Sequence, residues 1–216
     1  MKLRLLLLLL LFTFLCSTCL AKKGAIQCAN LIYANNMTSR CFSDEFLSSV
    51  QRKTTIPTAR RFKSAKLSDK DLFKFPFAMM TGEKGFRFSA KERRNLARYL
   101  TSGGFLLASA GCSNKEWAKA FRKEIKRVLP DNPLKKIPKK HPVYETVHKI
   151  EKLKLKRPEE DACLFGIEHN GKLVVIYSPH GLNDTKHTEG CCCCGGNEIL
   201  NSLEMNVNIL VYALLH

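Results

Sequence analysis

The sequence predicts an α/β domain built on a mostly parallel sheet, flanked by helices and edged by a late β-hairpin. Three observations predict it. Short apolar runs of strand length (CANLIYA, FPFAMM, FLLASA) alternate with segments whose apolar residues recur at helical spacing. Those runs are apolar almost throughout, the pattern of strands covered on both faces. Farther on, Asn170-Gly171 parts two more apolar runs, a strong signal for a tight hairpin turn.

Taken in order, Cys28 to Ala34 reads as a buried first strand that ends in the turn formers Asn35-Asn36. Ser43 caps a helix with Phe46, Leu47 and Val50 on one face. After Pro57, Ala59 to Leu67 reads as a second strand, and Ser68 starts a short helical turn holding Leu72 and Phe73. Phe75 to Met80 is the next buried strand, closed by Thr81-Gly82. Ser89 and Glu92 form a capping box for a helix with Leu96, Tyr99 and Leu100 in its stripe, ended by Gly103-Gly104. Phe105 to Ala110 follows as a strand. A second capping box, Ser113 with Glu116, opens a helix striped by Trp117, Phe121, Ile125 and Val128 and stopped by Pro130. Leu164 to Glu168 and Leu173 to Tyr177 form the hairpin, and Met205 to Leu215 reads as a buried helix with Asn206 and Asn208 as its polar exceptions.

Residues 1–21 have the build of a signal peptide. Lys2 and Arg4 make the charged start, Leu5 to Leu15 the apolar stretch, and Cys19-Leu20-Ala21 the small-residue cleavage site. The apolar stretch is too short to span a bilayer. Cys16 and Cys19 leave a lipoprotein as the alternative, but neither follows the small residue that lipidation favours. The expectation is therefore an exported protein, periplasmic or extracellular, whose residues 22–216 form one domain.

The chain carries 36 basic and 19 acidic residues, a net charge of +17. Without Lys2 and Arg4 the balance is still 34 to 19. These cations are spread over helices and a Lys-rich stretch from Lys135 to Arg157, with no aromatic interleaving. That arrangement argues against a nucleic-acid partner and for solubility or attraction to anionic membranes and polymers.

Four consecutive cysteines, Cys191, Cys192, Cys193 and Cys194, stand between Gly190 and Gly195-Gly196. Clustered thiolates suit a soft ion, copper(I) or zinc, or a disulfide or redox centre. The paired spacing of ordinary zinc sites is absent. In open α/β sheets ligands bind beyond the carboxyl ends of the strands. Three segments are expected there: residues 35–45, 111–113 and 180–198. Cys41 and Cys112 are thus candidate additional ligands, or disulfide partners of the run. Asp44, Glu45, His180, Asp184, His187 and Glu198 are candidate orienting or second-layer groups. Cys112 follows a strand and opens a helix, so it is also a candidate nucleophile, with His141 as a conceivable base. Cys28 and Cys163 read as plain core residues.

Several ordered blocks carry a family likeness: IPTARRF, FPFAMMTG, GGFLLAS, FRKEIKRVLPDNPLKKIPKKHPVY, GIEHNGKLVVIYSP, and GGNEI followed by NVNILVYAL. Together, from about Gln27 to His216, the chain resembles the bacterial domain-of-unknown-function family four-one-five-nine. The resemblance implies a flavodoxin-like sheet related to class I glutamine amidotransferases and ThuA-like proteins. It also implies an envelope role beside MoxR-type ATPases. CFSDEFL and GLNDT with CCCCGGNE look like a cysteine-rich branch. The amidotransferase Cys–His–Glu set does not carry over: no glycine stands two residues beyond Cys112, and no His-x-Glu pair lies near residue 216.

The combined expectation is a domain, leaning toward a non-enzyme, with a cysteine-rich soft-metal or redox site. The alternatives are a Cys112-dependent hydrolase or transferase, and a module that binds envelope proteins. Cleavage after Ala21 predicts a mature N-terminus at Lys22. Intact-mass measurement of the protein from its native envelope reads this directly, and a full-length or lipid-bearing mass would refute it.

Overall fold

The apolar runs form the middle of a seven-stranded sheet in a computed structural model that describes residues 24–38, 42–158, 161–183 and 196–216. The strands are β1 (Ala29–Ile32), β2 (Lys63–Lys66), β3 (Phe77–Gly82), β4 (Phe105–Ala110), β5 (Lys135–Lys136), β6 (Phe165–His169) and β7 (Lys172–Ser178). Their order is β2-β1-β3-β4-β7-β6-β5. The first five in that order are parallel; β6 runs antiparallel to β7, and β5 antiparallel to β6. Among the described residues four helices flank the sheet: α1 (Glu45–Lys53), α2 (Ala90–Thr101), α3 (Lys115–Val128) and α4 (Ser202–Leu215). This is the expected α/β class, antiparallel edge included.

Every residue of β3 and β4 is buried, which is why their sequences show no polar alternation. Successive side chains still go to opposite faces. Phe77, Met79, Phe105 and Leu107 join the layer of α1 and α4, whereas Ala78, Met80, Leu106 and Ala108 join that of α2 and α3. In the second layer Trp117 stacks on Phe121 at 5.3 Å between ring centres, and Phe121 on Tyr177 at 4.7 Å.

The α2 capping box forms as expected: Ser89 Oγ accepts from the Glu92 N–H, and Glu92 Oε2 accepts from the Ser89 N–H. The α3 cap differs from the expectation. Asn114 caps this helix by accepting from the Trp117 N–H at 2.9 Å, because Ser113 sits at φ 53° and donates its hydroxyl to the Asn197 carbonyl. Asp44 rather than Ser43 is the cap position of α1, and Ser43 Oγ instead accepts from the Glu45 N–H. β2 is shorter than Ala59 to Leu67 because it is an edge strand in which only Ala65 is buried. β5, two exposed lysines, closes the other edge and blunts it with charge. The hairpin turn places Asn170 at φ 52° and Gly171 at φ 75°, the left-handed pair that a two-residue turn needs.

α4 is buried along most of its length, and its two asparagines are fully buried. The Asn208 side chain accepts from the N–H groups of Val147 and His148 at 3.0 and 2.8 Å and donates to the His148 carbonyl at 2.7 Å. Asn201, just before the helix, makes the same kind of paired contact with Lys154 and Lys152. Together they tie residues 142–157 over α4. Asn208→Leu would strand two backbone N–H groups and a carbonyl, at a cost of about 3 kcal/mol. Urea unfolding should show that loss, with faster amide exchange at Val147 and His148; an unchanged midpoint would refute the latch.

Candidate functional site

β3 and β4 end side by side, with Gly82 paired to Ala110, so the chain leaves both strands at one point beyond the sheet. β4 passes directly into a tight turn, Gly111–Ser113, that starts α3. Cys112 holds φ 51° and ψ 27° there, a left-handed conformation that a side chain adopts only at some energetic cost. The turn is fixed from two sides. A Cβ at Gly111 would come within 3.0 Å of the Gly82 carbonyl oxygen and 3.2 Å of Glu83 Cγ. One at Gly196 would lie 2.5–2.6 Å from the Cys112 backbone, so the Gly196 backbone rests directly on Cys112. The half-buried Cys112 thiol points to Glu83, with Sγ 3.6 Å from Oε1.

The end of β7 completes the site. Ser178 Oγ donates to the His180 carbonyl at 2.6 Å, and the Leu182 N–H donates to Ser109 Oγ of β4 at 2.8 Å. Ser113 Oγ bridges the two sides, donating to the Asn197 carbonyl at 2.8 Å and accepting from the Gly181 N–H at 3.4 Å. Glu198 then lies under this loop, only 4% exposed. Its carboxylate occupies the space a side chain at Gly181 would take, and among the described residues it accepts no hydrogen bond of good geometry, the Asn183 N–H being a weak donor toward it. Burial pushes its pKa up to about 7, and the charge of Glu83 adds to the rise; Lys156 and the Asn183 N–H act the other way. The Asn183 side-chain amide is likewise buried with neither polar atom partnered among the described residues.

Cys112, His180 and Glu198 are therefore at the carboxyl end of the sheet, as the sequence led one to expect. Asp44 and Glu45 stand at the start of α1, where Glu45 is engaged by Arg52 at 2.8 Å. Cys41, Asp184, His187 and Cys191 to Cys194 lie outside the described residues. His141 is not placed to serve Cys112: it lines a cavity with Lys135, Glu168 and Leu173, at the end of the sheet where β7 begins. Cys28 is a core residue, its thiol pushed up to about 12 by burial, and Cys163 is half-buried. Among the described residues no disulfide forms, and no three His, Cys, Asp or Glu side chains gather as a metal site requires. Glu83, Gly181 and Asn183 were not singled out from the sequence. Glu83 had a usable signal: it directly follows the Gly82 that closes a buried strand.

Chemically, the Cys112 thiol faces the Glu83 carboxylate, and among the described residues Glu198 feels Glu83 as a negative and Lys156 as a positive charge. The family model described as Domain of unknown function (DUF4159) matches residues 28–214, and the chain belongs to that family. Among curated proteins none matches the chain.

Glu198 should leave a signature in stability. Unfolded, it titrates near 4.5; folded, near 7. Between those values the folded state holds a proton that the unfolded state has released, so this group's contribution to stability falls as pH rises through that window and is level outside it. Glu198→Gln removes the titration. In the presence of chelator, the variant should gain on the parent by about 3 kcal/mol between pH 4.5 and 7.5. A difference that stays flat across that range, in urea unfolding at each pH, would contradict the burial of an ionising carboxylate.

Proposed function

We propose that this member of the family carries, at the carboxyl end of its sheet, a thiolate centre that binds a soft metal, copper(I) or zinc, or cycles between thiol and disulfide. Cys112 and the run Cys191 to Cys194 are the donors, with Cys41 as a further one. Glu83, Glu198 and His180 border them, and Asp44, Glu45, Asp184 and His187 remain candidates for orienting roles. The observation that carries the proposal is the seat of Gly196 on the Cys112 backbone. Cys194 stands two residues before Gly196 in the sequence, so the run of cysteines joins the described chain next to that contact. The carboxylates favour the same reading. Negative charge beside a thiol works against a free nucleophilic thiolate and for a bound cation.

The wider setting is part of the proposal: an exported chain, cleaved after Ala21, working at the cell envelope with proteins of a MoxR-type ATPase system. The parallel strands β2-β1-β3-β4-β7 follow the 2-1-3-4-5 order of flavodoxin-like sheets, which supports the sheet type in the proposed likeness to glutamine amidotransferase-like and ThuA-like domains. A second reading, a Cys112-dependent hydrolase or transferase, has one observation in its favour. Its thiol stands on a left-handed strand-to-helix turn, at the position from which such sheets present a nucleophile. The displacement of His141 to the other end of the sheet weighs against it.

Two measurements separate these readings. Elemental analysis of anaerobically purified protein should find stoichiometric copper or zinc, lost in the doubly substituted Cys192→Ser, Cys193→Ser variant with the fold retained, because hydroxyls are poor donors to soft ions. Equal metal in both proteins sinks the metal reading, and an absence of free thiols in the unreduced parent moves the proposal to its disulfide form. Peptide-resolved iodoacetamide labelling then tests Cys112, which should be protected until a chelator or reductant is added. Rapid labelling at pH 6 without either would promote the enzyme.

A further inference from the structure

Among the four described helices the cations are concentrated on two. α2 and α3 hold ten Lys and Arg residues against three Glu, and two of those, Glu92 and Glu124, are buried in internal bonds. Glu92 closes the α2 cap and receives the Ala34 N–H. Glu124 receives Arg93 at 3.2 Å and Arg127 at 2.5 Å. On α1 and α4, two basic residues face two acidic ones. Both α2 and α3 pack on the same side of the sheet, so their polar faces necessarily form one outer surface. Lys91, Arg94, Arg98, Lys119, Lys123 and Lys126 are exposed on it and make no ion pair among the described residues.

Its shape narrows the choice of partner. Helices of 12 and 14 residues give a layer about 20 Å long and two helices wide. The cavities lined by Asn132 and His141, by Tyr144 and Cys163, by Leu100 and His169, and by Tyr33 and Asn36 all lie away from α3. At its margin Phe73 is 40% exposed, packed edge-on against Tyr99 of α2, with the Arg98 guanidinium 5.5 Å over its ring. An unpaired cationic plane with an exposed aromatic ring fits a surface that is flat and anionic, with an apolar layer just beneath its charges. No described helix is long and apolar enough to cross a membrane, so such contact is peripheral.

We propose that the α2–α3 face docks on a bilayer containing anionic phospholipid, held by its unpaired lysines and arginines and by insertion of Phe73. This inference is independent of the cysteine centre. The test is co-sedimentation of the folded chain with vesicles of 30% phosphatidylglycerol in phosphatidylcholine, against pure phosphatidylcholine, at about 0.1 M salt, where charge attraction still reaches about 10 Å. The parent should bind only the anionic vesicles. Lys119→Gln, Lys123→Gln and Lys126→Gln together should lower the partition coefficient about a hundredfold, at roughly fivefold for each charge. The same loss of charge at Lys139, Lys140 and Lys154, exposed residues on another side, should cost no more than about threefold, since distant charges are screened. Phe73→Ser should weaken vesicle binding about tenfold through lost apolar contact and leave binding to soluble polyphosphate unchanged. Equal losses from the two triple variants would overturn the proposal as mere net charge. So would an unaffected Phe73→Ser, which would point to a soluble polyanion, or a parent that ignores anionic vesicles.

Discussion

The register of β3 against β4 is the constraint from which both core and site follow. Phe77 opposes Phe105 and Gly82 opposes Ala110, with no irregularity between. Because the side-chain period is two, a slip of one residue would exchange the faces of every residue in the strand. Phe77 and Phe105, stacked at 5.7 Å under α4, would then trade places with alanine and leucine. The same register brings Glu83 beside Gly111 and hence beside Cys112. At the end of β3, Gly82 leaves room for Tyr33 and Trp117, whose hydrogen bond at 2.7 Å ties the start of α3 to the end of β1. Packing and chemistry thus share one alignment.

Among the described residues of this strongly basic chain three acids are buried, and they are handled differently. Glu92 is satisfied by backbone N–H groups, and Glu124 by two arginines and the Phe88 N–H. Those are structural solutions to burying charge. Glu198 accepts no hydrogen bond of good geometry among the described residues, has only weak help from the Asn183 N–H, and feels Glu83 as a second negative charge. A buried carboxyl of that kind either keeps its proton or takes a cation. The protein has cations in excess, yet among the described residues Lys156 is the positive charge that acts on this carboxyl, without an ion pair, which sets Glu198 apart from Glu124 with its two arginines.

Much of the fold was legible because its strongest signals are local. FLLASA gave β4 residue for residue, and Asn170-Gly171 fixed the hairpin. What escaped depended on tertiary context. β2 is trimmed because it has a neighbour on one side only, and β5 is two lysines with no strand pattern. The Ser113 cap was misread because its hydroxyl is drawn away to Asn197, 84 residues on. In the site, Cys112 and Glu198 could be placed from their position after and before elements. The dependence of Glu198 on a glycine at 181, and of Cys112 on one at 196, is a matter of close backbone approach that spacing cannot reveal. His141, a conceivable base in sequence, lies at the other end of the sheet because the chain between α3 and β6 returns there, which no local pattern reveals.

The two surfaces the fold creates point in different directions. Helices that cover a sheet lie on its face, whereas the turns after β3, β4 and β7 lie at its end, roughly at right angles to that face. Docking through α2 and α3 would therefore leave the Cys112 end open at the side rather than pressed into the bilayer. The exposed cations of α3 begin at Lys115, three residues beyond Cys112. A bilayer seated on that helix would hold the thiol–carboxylate site close to the membrane plane while keeping it in contact with water. Cations and site carboxylates would also be kept apart: the lysines face the anionic lipid, whereas Glu83 and Glu198 stay at the sheet's end.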